Sequence, residues 1–105
     1  MKTLLTSLSL VLLAMISTAN AANAPVNIAH PVNGSSVANY FHASFDTTCP
    51  GGSYKVEWYL DNTLLGNSAF YDSEAVDFDF KAPTGWHTLT VVSSCGKDVV
   101  RFYVQ

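Results

Sequence analysis

Tyr54-Lys55-Val56-Glu57-Trp58-Tyr59-Leu60 is the stretch that decides the fold. Val56, Trp58 and Leu60 fall on alternate positions, with Lys55, Glu57 and Tyr59 between them. A period of two marks a strand with one buried face, because successive side chains leave a pleated backbone on opposite sides. A tryptophan at the centre of such a strand calls for a second apolar layer packed over it.

The same period continues outward in both directions. Within residues 37–45, Phe41, Ala43 and Phe45 share one face, while Tyr40, His42 and Ser44 share the other. Val26-Asn27-Ile28 opens the series and is stopped by Pro31 and the turn signal Asn33-Gly34. Residues 46–53, with Pro50-Gly51-Gly52, read as a loop, and Asp61-Asn62 as a turn into a short strand at 63–65 that ends at Gly66-Asn67. In residues 74–80, Val76, Phe78 and Phe80 oppose Asp77 and Asp79. After a loop at 81–85, residues 86–92 point Leu89 and Val91 inward; residues 93–98 turn, and Val100, Phe102 and Val104 alternate in a last strand. No ten-residue stretch carries a helical stripe. About seven short strands separated by turn signals predict an all-β protein, an antiparallel immunoglobulin-like β-sandwich.

The first 21 of the 105 residues stand apart. Lys2 gives a positive start, the run from Leu4 to Ile16 has no charge, and Ala19-Asn20-Ala21 has the A-x-A form of a cleavage site. These are the parts of a secretory signal peptide, and the run is shorter than the roughly 20 residues that span a bilayer. The expected organisation is a signal peptide at 1–21 and one domain at 22–105, with no stable membrane insertion after cleavage. Removing the leader takes one of the five basic residues and none of the eight acidic ones, so the formal charge goes from −3 to −4. A small acidic chain of this kind excludes a two-domain enzyme and a basic nucleic-acid binder.

Cys49 and Cys95 allow one intramolecular pairing, and an oxidising compartment permits it. In the predicted sandwich, the loop after the second strand and the loop before the last lie at one end, so the pairing agrees with the topology. A metal site or a reactive thiol pair is the alternative, but the chain has no C-x-x-C and no histidine at ligand spacing.

Candidate chemistry is sparse. His30, His42 and His87 are far apart and belong to no ligand motif. Asp72, Glu74, Asp77 and Asp79 form an acidic cluster, yet calcium wants six to eight oxygens on a loop that bends around it, and no such loop is written here. Ser94-Cys95-Gly96-Lys97 has the S-x-x-K form, which works at a helix start rather than in a hairpin. The expectation is no catalytic residue, no cofactor and no metal. Tyr40, Tyr54, Tyr59, Tyr71, Trp86 and Tyr103 include several aromatics that alternation places outward or in loops, and Tyr59, Tyr71 and Trp86 are the candidate binding surface.

Glu57-Trp58-Tyr59-Leu60-Asp61-Asn62, and above all Gly85-Trp86-His87-Thr88-Leu89-Thr90-Val91-Val92 followed by Val100-Arg101-Phe102-Tyr103-Val104, resemble the C-terminal domain of bacterial bifunctional penicillin-binding proteins. Pro31-Val32-Asn33-Gly34 also resembles the entry into many bacterial Ig-like domains. The resemblance implies an accessory β-sandwich in the periplasm or outside the cell, and it carries over no catalytic residue. Two departures from the pattern are expected: the domain follows its own leader rather than an attached enzyme, and it carries two cysteines in loops.

The expected function is a secreted or periplasmic, non-enzymatic Ig-like binding or accessory module of the cell envelope. Its target would be an envelope protein or a glycan, with peptidoglycan the candidate the resemblance suggests. The alternative is a secreted inhibitor or effector that blocks a target enzyme with the disulfide-linked loops at 46–53 and 93–98. A nucleic-acid partner is not expected.

Overall fold

A computed structural model describes residues 24–105, so the leader expected at 1–21 lies outside the described residues. Six strands follow in order: β1 (Val26–His30), β2 (Ser36–Val37), β3 (Tyr40–Leu60), β4 (Thr63–Lys81), β5 (Gly85–Ser93) and β6 (Gly96–Val104). All pairings are antiparallel except that of β2 with β6.

About seven short strands were expected; two of the expected breaks lie inside paired strands, and a short β2 splits off at 36–37. The segment 46–53 is not a loop: β3 stays paired with β4 up to Cys49 opposite Asp72 and resumes at Ser53 opposite Tyr71. Pro50, Gly51 and Gly52 bulge out between those pairs, Gly51 and Gly52 with φ of 105° and 113°, and Asp72 faces them with φ of 51°. A bulge bends a strand without ending its ladder. The long β3–β4 hairpin therefore turns a corner and belongs to both layers. The turn expected at Gly66-Asn67 is likewise inside β4. Gly66 is there for space, since a Cβ would lie 2.5 Å from Cζ2 of Trp58.

The first layer comprises β1, the N-terminal half of β3 and the C-terminal half of β4. The second comprises the other halves of β4 and β3, then β5, β6 and the short β2. Their inner faces meet as the alternation predicts. Phe41 of the first layer packs edge-on against Phe102 of the second with centroids 5.2 Å apart, and Phe45 meets Trp58 at 5.2 Å. Val26, Ile28, Ala43, Cys49, Tyr54, Val56, Leu60, Ala82, Leu89, Val91, Val100 and Val104 complete the buried set. Val76, Phe78 and Phe80 are only half-buried, because among the described residues β4 has β3 on one side and no strand on the other.

Two ties fasten the corner. Cys49 and Cys95 form the disulfide, with Cα atoms 5.7 Å apart, joining the end of the first layer to the β5–β6 turn. The other tie is Tyr54, which is buried on the same side as Val56. Its hydroxyl donates to the carbonyl of Asp72 at 2.8 Å and accepts from Oγ1 of Thr47 at 2.9 Å. A buried tyrosine needs such partners, and these three residues span both halves of the bent hairpin.

Candidate binding face

The outer face of the second layer is where exposed apolar side chains collect. Strand register places Val99, Thr90, Tyr59 and Leu64 in one row across β6, β5, β3 and β4. Val99 and Leu64, at its two ends, are both exposed. Tyr59 and Thr90, with Asp61, Asn62 and Val92, line a shallow open depression. Further along the face, Trp86 pairs with Tyr103, their rings edge-to-face at 5.4 Å. The guanidinium of Arg101 stacks over the Trp86 ring, 4.3 Å from its centroid. Trp86 is still 49% exposed, so a large aromatic is fixed by two neighbours yet open to a ligand.

The backbone beneath this cluster is fixed as well. Arg101 pairs with Thr88 across β5, and its amide donates to Oδ1 of Asn33 at 2.8 Å. Its carbonyl accepts from the amide of Gly34. The Asn33-Gly34 turn, legible in the sequence, thus docks on β6, where the positive φ of Gly34 lets the chain bend.

Charge separates between the two layers. Five of the eight acidic residues, Asp46, Asp72, Glu74, Asp77 and Asp79, lie on the first-layer halves of β3 and β4 or at the corner. The three on the second layer are engaged. Glu57 accepts from the Tyr59 hydroxyl and pairs with Lys55, Asp61 holds His87, and Asp98 accepts from the amide of Ile28. Lys97 and Arg101 make no ion pair among the described residues. An acidic protein therefore presents two free cations on its aromatic face.

The histidines are not the isolated residues their spacing suggested. Buried His87 donates from Nδ1 to Asp61 at 2.9 Å and from Nε2 to the carbonyl of Pro83 at 2.7 Å. A carbonyl and a carboxylate only accept, so both ring nitrogens carry protons. Burial opposes that charge, but the bonds to Asp61 and Pro83 outweigh it and raise the His87 pKa above 6.5. Burial likewise opposes ionisation of Asp61, and His87 with the Thr88 amide outweighs it, lowering that pKa below 3.8. The pair ties the β3–β4 turn to β5. On the first layer, exposed His42 lies 3.1 Å from Asp79 and 3.5 Å from Asp77, and the hydrogen bond to Asp79 is the main cause of its raised pKa. His30 meets only Ser44, at 3.3 Å.

The structure brings two of the three candidate surface residues onto one stretch of sheet. Tyr59 and Trp86 share the outer face; Tyr71 sits opposite Ser53 at the corner, six β3 residues or about 20 Å from Tyr59. Within the acidic cluster, Asp77 and Asp79 stand together beside His42, while Asp72 lies at the corner and Glu74 faces Thr47. No group of three or more histidine, cysteine or acidic side chains among the described residues is placed to hold a metal ion. Ser94 and Lys97 lie in and just after the β5–β6 turn, not on a helix. Arg101, Leu64 and Val99 are the face residues that sequence reasoning missed. The alternation of Val100, Phe102 and Val104 held the signal for two of them, since it sends Val99, Arg101 and Tyr103 outward together.

No protein-family model matches the chain, and no curated protein matches its sequence. Solved structures do. The fibronectin(III)-like modules of Clostridium thermocellum CbhA align over 76% of this chain and 96% of theirs, with TM-score 0.56 and 18% identity. The CARDB domain of a Pyrococcus furiosus protein, in complex with di-metal ions, aligns over 75% of this chain and 89% of its own, with TM-score 0.55 and 14% identity. An endo-beta-1,4-mannanase from Thermotoga petrophila aligns over 76% of this chain with TM-score 0.57 and 14% identity, and the match spans 19% of that enzyme's length. At these identities the likeness shows the fold alone, an immunoglobulin-like β-sandwich. Among the described residues, no helix is long and apolar enough to cross a membrane.

Proposed function

We propose that this chain is a secreted or periplasmic, non-enzymatic Ig-like binding or accessory module of the bacterial cell envelope, with peptidoglycan or an envelope protein as its target. The observation that carries this reading is the Trp86–Tyr103–Arg101 cluster. It is an open, immobilised aromatic on a regular sheet face, on a domain stapled by a disulfide. Ordering a rigid aromatic costs little entropy on binding, which makes such residues strong contact points. The resemblance to the C-terminal domain of bifunctional penicillin-binding proteins supports an envelope role, and the disulfide supports an oxidising compartment.

The test is capture of purified sacculi and of solubilised envelope proteins by the wild-type protein, Trp86→Ala and Tyr59→Ala. We expect binding that Trp86→Ala removes and Tyr59→Ala weakens, in variants whose thermal melts match wild type. Unchanged capture by both variants would contradict the assignment of the face. The effector reading stands second for a structural reason. Most of the two segments it needs is paired strand, which leaves 50–52 and 94–95 as projecting chain.

A further inference from the structure

We infer that the Trp86–Arg101 corner is a site for an acidic sugar, a pyranose ring bearing a carboxylate, presented on a glycan. This rests on the binding-module reading and names its ligand class.

The inference follows from what each group lacks. Arg101 has its backbone fixed on both sides and its guanidinium laid on Trp86, yet no carboxylate of the described residues pairs with it. A guanidinium presents a planar fork of donors that matches a carboxylate two bonds at a time. Trp86 keeps about half its surface open beside that fork, and an indole offers a flat apolar platform on which a ring can stack. A ligand that satisfies both needs a compact ring with an apolar face and a planar anion attached to it. A neutral sugar would leave Arg101 unused; an anion without a ring would leave Trp86 unused.

The surroundings favour the same class. Lys97, four residues along β6 or about 13 Å away, is the next free cation on this face, so a chain of acidic sugars meets a second positive group. Glu57, Asp61 and Asp98 are already engaged by Lys55 and Tyr59, by His87 and by the Ile28 amide. The remaining acidic residues, Asp46, Asp72, Glu74, Asp77 and Asp79, belong to the other layer or to the corner.

The experiment titrates the purified protein by calorimetry with trigalacturonic acid and with its methyl ester, which keeps the rings and removes the charge. We expect the acid to bind at least about tenfold more tightly than the ester, the margin of one charge-assisted hydrogen-bond pair. Arg101→Gln should bring the acid down to the affinity of the ester, and Arg101→Lys should recover only part of the loss. Trp86→Ala should remove binding of both. Equal affinity for acid and ester, no effect of Arg101→Gln in a variant that melts like wild type, or no binding of either probe would overturn the inference. Equally tight binding of poly-glutamate at matched carboxylate concentration would also overturn it, in favour of an acidic polypeptide. If these probes fail while sacculi or envelope proteins are still captured through Trp86, the acidic-sugar inference falls and the binding-module reading stands. If that capture fails as well, both fall.

Discussion

The two outer faces of this sandwich are built from the same hairpin and have opposite chemistry. On the first layer, β3 and β4 turn His42, Asp46, Asp77 and Asp79 to solvent, and His42 is held between two aspartates. On the second, the same two strands contribute Tyr59 and Leu64, and β5 and β6 add Trp86, Val99, Arg101 and Tyr103. Both layers have alternating strands and a shared core, so folding alone does not require this asymmetry. An acidic solvated face beside the long open edge of β4 resists strand-to-strand association. An immobilised aromatic with an unpaired cation has no such structural duty, and on that difference we propose the second face as the one that binds.

The comparison can be broken by loosening the joint between the faces. Replacing Cys49 and Cys95 by alanine opens a loop closed at a sequence separation of 46 and should cost about 4 kcal/mol in the chain-entropy description. Denaturant unfolding of the oxidised protein against the double variant measures it. Tyr54→Phe should cost about 1–3 kcal/mol, because it removes the donor to the Asp72 carbonyl and strips Thr47 of its acceptor. The same unfolding assay reads this loss, and a loss near zero would mean that the corner needs no polar tie.

The His87–Asp61 pair sharpens the comparison through pH. A histidine whose pKa is raised on folding stabilises fully below its unfolded value of 6.5 and loses that contribution as pH rises through the higher folded value. Asp61, lowered on folding, contributes above 3.8 and loses its share as pH falls through its folded value. Thermal stability should therefore decline on raising pH above 6.5, and Asp61→Asn should flatten that decline. The smallest effect belongs to the acidic face. Asp77→Asn with Asp79→Asn should change stability by less than about 0.5 kcal/mol, since these groups are exposed. Binding to envelope material should not change, and NMR titration should show the His42 pKa falling back toward 6.5.

Which residues face inward was legible in the sequence. The alternation at 41–43–45, 56–58–60 and 100–102–104 names inner faces that the structure buries or half-buries, and the two cysteines meet. Tyr54 shares the parity of Val56 and is buried with it. What alternation does not carry is position along the sheet. Tyr71 and Trp86 both come out as surface aromatics, with nothing to reveal that register sets them at different ends. The Arg101–Trp86 stack and the His87–Asp61 pair are contacts between strands, fixed by pairing and by how the β3–β4 turn reaches β5. Pro50-Gly51-Gly52 suggested a break because proline and glycine usually punctuate strands, whereas here the excursion is short enough for the ladder to resume.

Amide NMR mapping distinguishes the two outer faces as sites of the proposed binding. Titrating labelled protein with solubilised peptidoglycan fragments should shift resonances of β5 and β6 around Trp86, Thr88, Arg101 and Tyr103, leaving those around His42, Asp77 and Asp79 in place. Shifts confined to the acidic face, or to residues 50–52 and 94–95 at the disulfide end, would contradict the proposal.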